Sequence, residues 1–257
     1  MENPVEHTPI IKPAGDNRMQ ILTPLILIGL VVIGVAAGYG YRTFKTTVPP
    51  GSPQRDLAKE AEDELARQNF KPLSESLQTL LADTKYEPIP TQAHQLLLQQ
   101  APEFELKDVD GKVWSLDEHL KTGPVVLVFY YGYHCNHCVS QLFALNKDIA
   151  KFSELGVHVV AVSADPVELT RERYKQYGAF KFPVLSDSNN NLAEKYETYS
   201  PAKEDGKEGD LMHGTYVISR HGKIVWANRG DTPFTENRTL IHKVAEFEGR
   251  LPKKAGS

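Results

Sequence analysis

The run Val125-Val126-Leu127-Val128-Phe129-Tyr130-Tyr131 leads through Gly132-Tyr133-His134 into Cys135-Asn136-His137-Cys138, which holds both cysteines of the chain. A short run this rich in β-branched and aromatic residues reads as a buried strand. The residues after it, with Leu142 and Leu145 at helical spacing, read as a helix. The dithiol therefore lies at a strand-to-helix junction, which requires a sheet covered by helices. Unpaired N–H groups and the dipole at a helix start favour anions, so a thiolate there is stabilised and its pKa falls below the free value of about 8.5. Two cysteines cannot build a disulfide scaffold, and C-x-x-C spacing favours redox or metal chemistry.

The 257 residues suffice for one sizeable domain plus extras. A net charge of -4 without a basic stripe excludes a general nucleic-acid binder. Residues 1–20 are polar, with Pro4, Pro9 and Pro13, and read as a flexible tail. From Ile21 to Tyr41 there is no charged residue, and the stretch is long enough to cross a hydrocarbon core of about 30 Å as a single helix. The tail ahead is too long and too acidic for a signal-peptide n-region, so the expectation is an uncleaved anchor. Lys12 and Arg18 before the span, against Arg42, Lys45 and Arg55 after it, lean slightly against an exported C-terminal domain. Residues 42–100 read as a linker, Pro/Gly/Ser-rich from Thr46 to Pro53, and a helical stalk of charged amphipathic stretches at Asp56–Asn69 and Leu73–Asp83.

From Ala101 short strands alternate with helical segments, predicting one domain over residues 101–250 and a tail over 251–257. Phe104–Leu106 and Val113–Ser115 flank Asp110-Gly111 as a hairpin. Val125–Tyr131 is the central strand, Gln141–Phe152 a helix, Val157–Ser163 a second buried strand and Pro166–Tyr177 a helix. Phe182–Leu185 leads into a turn and Leu192–Tyr196 is a short helix. Tyr199–Leu211 is a polar insertion read as a mobile loop. Thr215–Ser219 and Lys223–Asn228 form a hairpin about His221-Gly222, and Thr235–Gly249 is a closing helix.

Ala101-Pro102-Glu103-Phe104-Glu105-Leu106, Asp110-Gly111, Val125–Tyr131, the C-x-x-C and Phe182-Pro183-Val184-Leu185-Ser186-Asp187 occur in the order seen in the alkyl hydroperoxide reductase C / thiol-specific antioxidant family, which residues 101–230 resemble. The resemblance implies an α/β thioredoxin-like fold, a central mixed sheet flanked by helices, and an oxidoreductase of redox homeostasis or antioxidant defence. It also implies an exported, extracytoplasmic catalytic domain. It leaves peroxide reduction and disulfide exchange both open.

In the family's peroxidases the pattern Pro-x-x-x-Thr-x-x-Cys would place the peroxidatic cysteine at Cys138. The proline then becomes Tyr131, the threonine Cys135, and the peroxide-orienting arginine falls near His213, while Gln141 matches. Loss of the Thr and Arg donors removes much of what polarises the O–O bond. Placed on thioredoxin-like oxidoreductases, Cys135 attacks a partner disulfide and Cys138 resolves it. The loop that usually carries a cis-proline falls at His213-Gly214, so His213, Gly214 and Tyr131 are expected to form a substrate loop. His137, placed as in the C-P-H-C motif of disulfide-forming proteins, either favours the thiolate or is an exposed residue without effect. The expected partners are protein thiols or disulfides and an electron donor, with the Cys135–Cys138 disulfide as the sole redox group. The alternative is copper delivery: Tyr131-Gly132-Tyr133 is similar to membrane-anchored copper-delivery proteins, and Cys135, Cys138 and His213 would be the soft ligands.

Overall fold

The computed structural model describes residues 56–135, 137–202 and 209–252. The expected tail 1–20, the anchor 21–41 and the linker through 55 lie outside them. Among the described residues no helix is long and apolar enough to cross a membrane.

The chain forms α1 (Leu57–Arg67), α2 (Leu77–Ala82), β1 (Glu105–Lys107), β2 (Val113–Ser115), α3 (Leu116–Leu120), β3 (Val125–Phe129), α4 (Ser140–Glu154) and β4 (His158–Ser163). It continues through α5 (Val167–Tyr177), β5 (Val184–Ser186), α6 (Asn191–Lys195), β6 (Tyr199–Ser200), β7 (Asp210–Leu211), β8 (His213–Ile218), β9 (Ile224–Gly230) and α7 (Asn237–Phe247). The main sheet has five strands in the order β5-β4-β3-β8-β9. β3 pairs in parallel with β4 and β4 with β5, whereas β8 is antiparallel to both β3 and β9. This is the α/β, thioredoxin-like mixed sheet that the family resemblance implies.

β3 is central, and all five of its residues are buried. Side chains alternate across a strand. Val126 and Val128 accordingly face Leu142, Leu145 and Phe152 of α4 and Leu240, Ile241 and Val244 of α7. Val125, Leu127 and Phe129 face the opposite layer, with Leu116 of α3, Tyr196 after α6 and Phe104-Trp114 beside the hairpin. Trp226 and Trp114 are both buried and act as packing residues. The β1–β2 hairpin takes the expected place, Leu106 opposite Trp114.

Two boundaries differ from the sequence reading. The stretch expected as a stalk is, from Asp56 on, part of the same compact unit as the sheet. Leu57 and Leu77 belong to the core on the α4 side. The connection between α1 and α2 is held by Asp148 of α4, which accepts from Leu73 N–H at 2.8 Å and from Asn237 Nδ2 at 2.8 Å. The physical reason is the narrow stripe Leu57, Ala61 and Leu65, all buried on an otherwise charged helix. At the other end Leu251, placed in a tail by its sequence, packs on the core. The insertion at 199–211 is bracketed by a short ribbon, Tyr199 pairing with Leu211 and Ser200 with Asp210.

Before β1, the chain runs along β9. Gln92 N–H donates to Ala227 O at 2.9 Å, Leu98 N–H to Ile224 O at 2.7 Å, Ile224 N–H to Gln99 O at 3.1 Å and Ala101 N–H to Gly222 O at 2.7 Å. The edge of the sheet is therefore covered by the chain's own backbone.

Asp148→Ala should leave the Leu73 N–H unsatisfied and remove one of the Asn237 bonds, lowering stability by about 2–3 kcal/mol. Urea unfolding with an unchanged m-value is the check. A loss under about 0.5 kcal/mol would mean the α1–α2 connection is not anchored there.

Candidate active site

Pairing between β3 and β8 ends at Phe129 and Gly214. Tyr130 still donates its N–H to Val162 O at 3.1 Å, and the chain then turns at Gly132, where φ is 104°. Glycine is required there twice over. L residues avoid that backbone angle, and a Cβ would lie 2.7 and 2.8 Å from the Asp165 carboxylate oxygens. That carboxylate, just past β4, accepts from Tyr133 N–H at 2.9 Å and from the Ser163 hydroxyl at 3.3 Å. Burial raises its pKa above the ordinary carboxylate value, opposed by the Tyr133 N–H bond and by His134. Asp165 thus ties the end of β4 to the turn that carries the cysteines. Sequence reasoning missed it. The available signal was a lone acid directly after a buried strand, in Ser163-Ala164-Asp165-Pro166.

Cys135 and Cys138 are joined as a disulfide, with Cα atoms 5.3 Å apart. Their exposure is unequal: Cys135 is half-buried, whereas Cys138 is wholly buried. α4 begins at Ser140 with Val139 in the cap position, so Cys138 lies in the turn ahead of the helix. The Ser140 N–H and hydroxyl both donate to His137 O, at 3.2 and 2.5 Å, and Leu142 N–H donates to Val139 O at 3.0 Å. Two of the helix-start N–H groups expected to face a thiolate are therefore engaged by turn carbonyls.

His137 is exposed, and its ring lies beside the sulfurs: donor atoms of Cys135, His137 and Cys138 all fall within 4.8 Å of one another. His213 is not in that group, so the copper ligand set Cys135, Cys138 and His213 is not brought together. With the sulfurs joined, neither is the thiolate that a soft metal binds. On the α1 side, Glu64 is held below the usual carboxylate range mainly by its hydrogen bond from Arg67, with Gln68 and the His137 charge adding to it. The end of α1 is thus close enough to the dithiol turn for His137 to act electrostatically on Glu64, which sequence reasoning did not foresee.

His213 and Gly214, expected on a substrate loop, are instead residues of β8, and both are buried. Gly214 lets two elements approach closely, since a Cβ there would lie 2.3 Å from Thr198 Cγ2. His213 is 2% exposed and stacks on the half-buried Tyr131 with ring centroids 4.4 Å apart. Burial, with the nearby His137 adding to it, lowers the His213 pKa to about 4. The imidazole is neutral at pH 7, so it does not supply the cation that a peroxide-orienting arginine would. Gln141, the residue that matches the peroxidase pattern, is also buried and donates Nε2 to Thr215 Oγ1 at 2.8 Å.

Two consequences are measurable. Gly132→Ala should cost about 1–3 kcal/mol, because the backbone is strained and the Asp165 carboxylate must move. Equilibrium unfolding checks this, and an unchanged midpoint would contradict the described turn. Since the His213 pKa is depressed from 6.5 to about 4, the unfolded chain binds the extra proton first. Its contribution is present above about pH 6.5 and is lost as pH falls toward 4, on the order of 3 kcal/mol in full. His213→Phe should flatten the acid limb of a stability-versus-pH curve in that window, and an unchanged slope would refute the assignment.

The AhpC/TSA family profile matches residues 97–227. Chloroplastic peroxiredoxin Q of Oryza sativa subsp. japonica is 32% identical over 129 residues, covering 48% of this chain and 54% of that protein. The chain thus spans about half the length of such relatives. Thiol-disulfide oxidoreductase ResA of Halalkalibacterium halodurans is 27% identical over 132 residues, covering 51% of this chain and 68% of that protein. Among solved structures, peroxidoxin BcpB of Mycobacterium tuberculosis superposes with a TM-score of 0.51 at 24% identity, over 59% of this chain and 98% of that one. The reduced 2-Cys peroxiredoxin of Plasmodium vivax gives 0.52 at 17%, over 63% and 89%. These likenesses establish the fold. With a C-x-x-C pair on a thioredoxin-like sheet and a family match over half its length, this chain belongs to the AhpC/TSA family of peroxiredoxin-like thiol oxidoreductases.

Proposed function

We propose that this protein is a membrane-anchored thiol–disulfide oxidoreductase acting on protein thiols or disulfides. The observation that carries the reading is the unequal exposure of the two sulfurs within a formed disulfide. A partner can reach Cys135, while Cys138 is closed off beneath it. The Cys135 thiolate attacks the partner disulfide, Cys138 displaces the partner from the mixed disulfide, and a separate electron donor or acceptor resets the pair. The exposed His137 beside the sulfurs favours the thiolate and so the reduced form. The likeness to a protein named as a thiol-disulfide oxidoreductase supports the same class.

A second reading, peroxide reduction at Cys138, is favoured by the relatives named peroxiredoxin Q. It fits the site less well, because Cys138 is inaccessible and the group in the arginine's place is a neutral imidazole. The two are separated by single-thiol variants. Cys138→Ser should accumulate a mixed disulfide with a protein substrate, seen as a shifted band on a non-reducing gel, and Cys135→Ser should accumulate little. Hydroperoxide turnover that survives Cys135→Ser and vanishes in Cys138→Ser would reverse the order of the two readings.

The uncharged run Ile21–Tyr41 supports anchoring, and the family resemblance supports an exported domain. The full-length protein should stay with membranes through an alkaline wash. C-terminal reporter fusions should be active outside the cytoplasm, and release by the wash or purely cytoplasmic activity would remove that part of the proposal.

A further inference from the structure

The dithiol turn brings together more than two sulfurs. Sγ of Cys135, Sγ of Cys138 and a ring nitrogen of His137 all lie within 4.8 Å of one another. The backbone of His137 is fixed where it stands, because its carbonyl accepts from both the N–H and the hydroxyl of Ser140 at the start of α4. The ring is exposed, Cys135 is half-buried and Cys138 is closed off, so the three donors grade from solvent to interior.

In the disulfide neither sulfur can bind a cation. Reduction leaves two thiols on one turn with Cα atoms 5.3 Å apart, and a C-x-x-C pair so placed can chelate one ion. A bare thiolate at Cys138 would be a buried charge, costly unless compensated. The backbone offers it little, since the Ser140 and Leu142 N–H groups are taken by the His137 and Val139 carbonyls. A dication between the sulfurs compensates both thiolate charges, and a neutral imidazole adds a third bond without adding charge. A monovalent ion on the same ligands would leave one negative charge under cover. Two thiolates and an imidazole are ligands that zinc takes in a tetrahedral set. Among the described residues no fourth histidine, cysteine or acid joins the group, so one position of that set is left to water.

We propose that the reduced dithiol is a zinc site held by Cys135, His137 and Cys138, which formation of the disulfide abolishes. The site rests on the proposed function only in that the pair must be reducible to a dithiol. On binding, the two thiols lose their protons, each sulfur bonds to the ion, and a His137 nitrogen supplies the third bond. When a partner disulfide takes two electrons from the pair, the Cys135–Cys138 bond forms and the partner leaves as two thiolates. The zinc, left with a single imidazole, is released; it neither gains nor loses electrons. The same two sulfurs thus serve either the ion or the partner, and bound zinc holds the oxidoreductase in check.

The test uses full-length protein, reduced, freed of reductant and titrated with Co(II) and then Zn(II). One equivalent of Co(II) should give a thiolate-to-cobalt charge-transfer band and the visible spectrum of a tetrahedral ion, both erased by one equivalent of Zn(II). X-ray absorption of the zinc form should show two sulfurs at about 2.3 Å and an imidazole nitrogen at about 2.0 Å. His137→Ala, a change at an exposed position, should weaken zinc about tenfold or more against a chromophoric chelator, since even a group that only supports a ligand is worth that much. Stoichiometric zinc should slow the reaction of the dithiol with dithiobis(nitrobenzoate), and a chelator should restore it. The zinc site is overturned by absence of binding to the reduced protein, by equal binding to the disulfide form, by one zinc shared between two chains, or by an affinity unchanged in His137→Ala. Should the metal-free dithiol reduce no protein disulfide while the cobalt and zinc spectra appear as stated, the exchange reading falls and the metal site stands.

Discussion

Burial of β3 on both of its faces is the constraint that organises this molecule. Each of its five residues is inaccessible, and its neighbours β4 and β8 run in opposite directions on either side. A strand so enclosed cannot slip by one residue without moving every side chain into the wrong layer. Its end is therefore a fixed point, and the dithiol turn begins there. The Asp165 carboxylate completes the placement by holding the Tyr133 N–H from the adjacent strand end. Cys135 and Cys138 owe their unequal exposure to this geometry: the turn leaves the first sulfur half-buried and puts the second under cover before α4 begins.

Much of this was legible in the sequence. The apolar run of β3, the helical spacing of Leu142 and Leu145, and the turn signals at Asp110-Gly111 and His221-Gly222 each carry their own local physics, and each element stands where that physics puts it. The α1 helix was harder to place. Its buried stripe is only Leu57, Ala61 and Leu65, and charge on the remaining faces reads as a solvated stalk until α4 is seen to supply the surface it covers. Asp148 was hidden for a related reason: an acid within a helix reads as exposed, and only its partners Leu73 and Asn237, distant in the chain, show it to be a buried acceptor.

At the site, pattern identified the cysteines and the residues near them but not their settings. His213 and Gly214 were read as a loop from the place of the cis-proline loop in thioredoxin-like oxidoreductases, yet β8 begins at His213 and the missing Cβ of Gly214 is what lets Thr198 approach. Asp165 holds the start of the dithiol turn through Tyr133 and Glu64 feels His137 from α1, neighbours that topology supplies. Local sequence carries the reactive atoms; the groups that hold their turn in place arrive from elsewhere in the chain.

The backbone segment laid along β9 has a bearing on how copies of this protein can meet. A sheet grows when an unpaired edge accepts the strand of another molecule. Here Gln92, Leu98, Gln99 and Ala101 already occupy the groups that β9 and its turn would offer, and the opposite edge, β5, is only three residues long. Among the described residues the main sheet therefore has one short edge, β5, to offer to another strand. The half-buried Cys135 remains the reactive feature that each molecule presents to a partner.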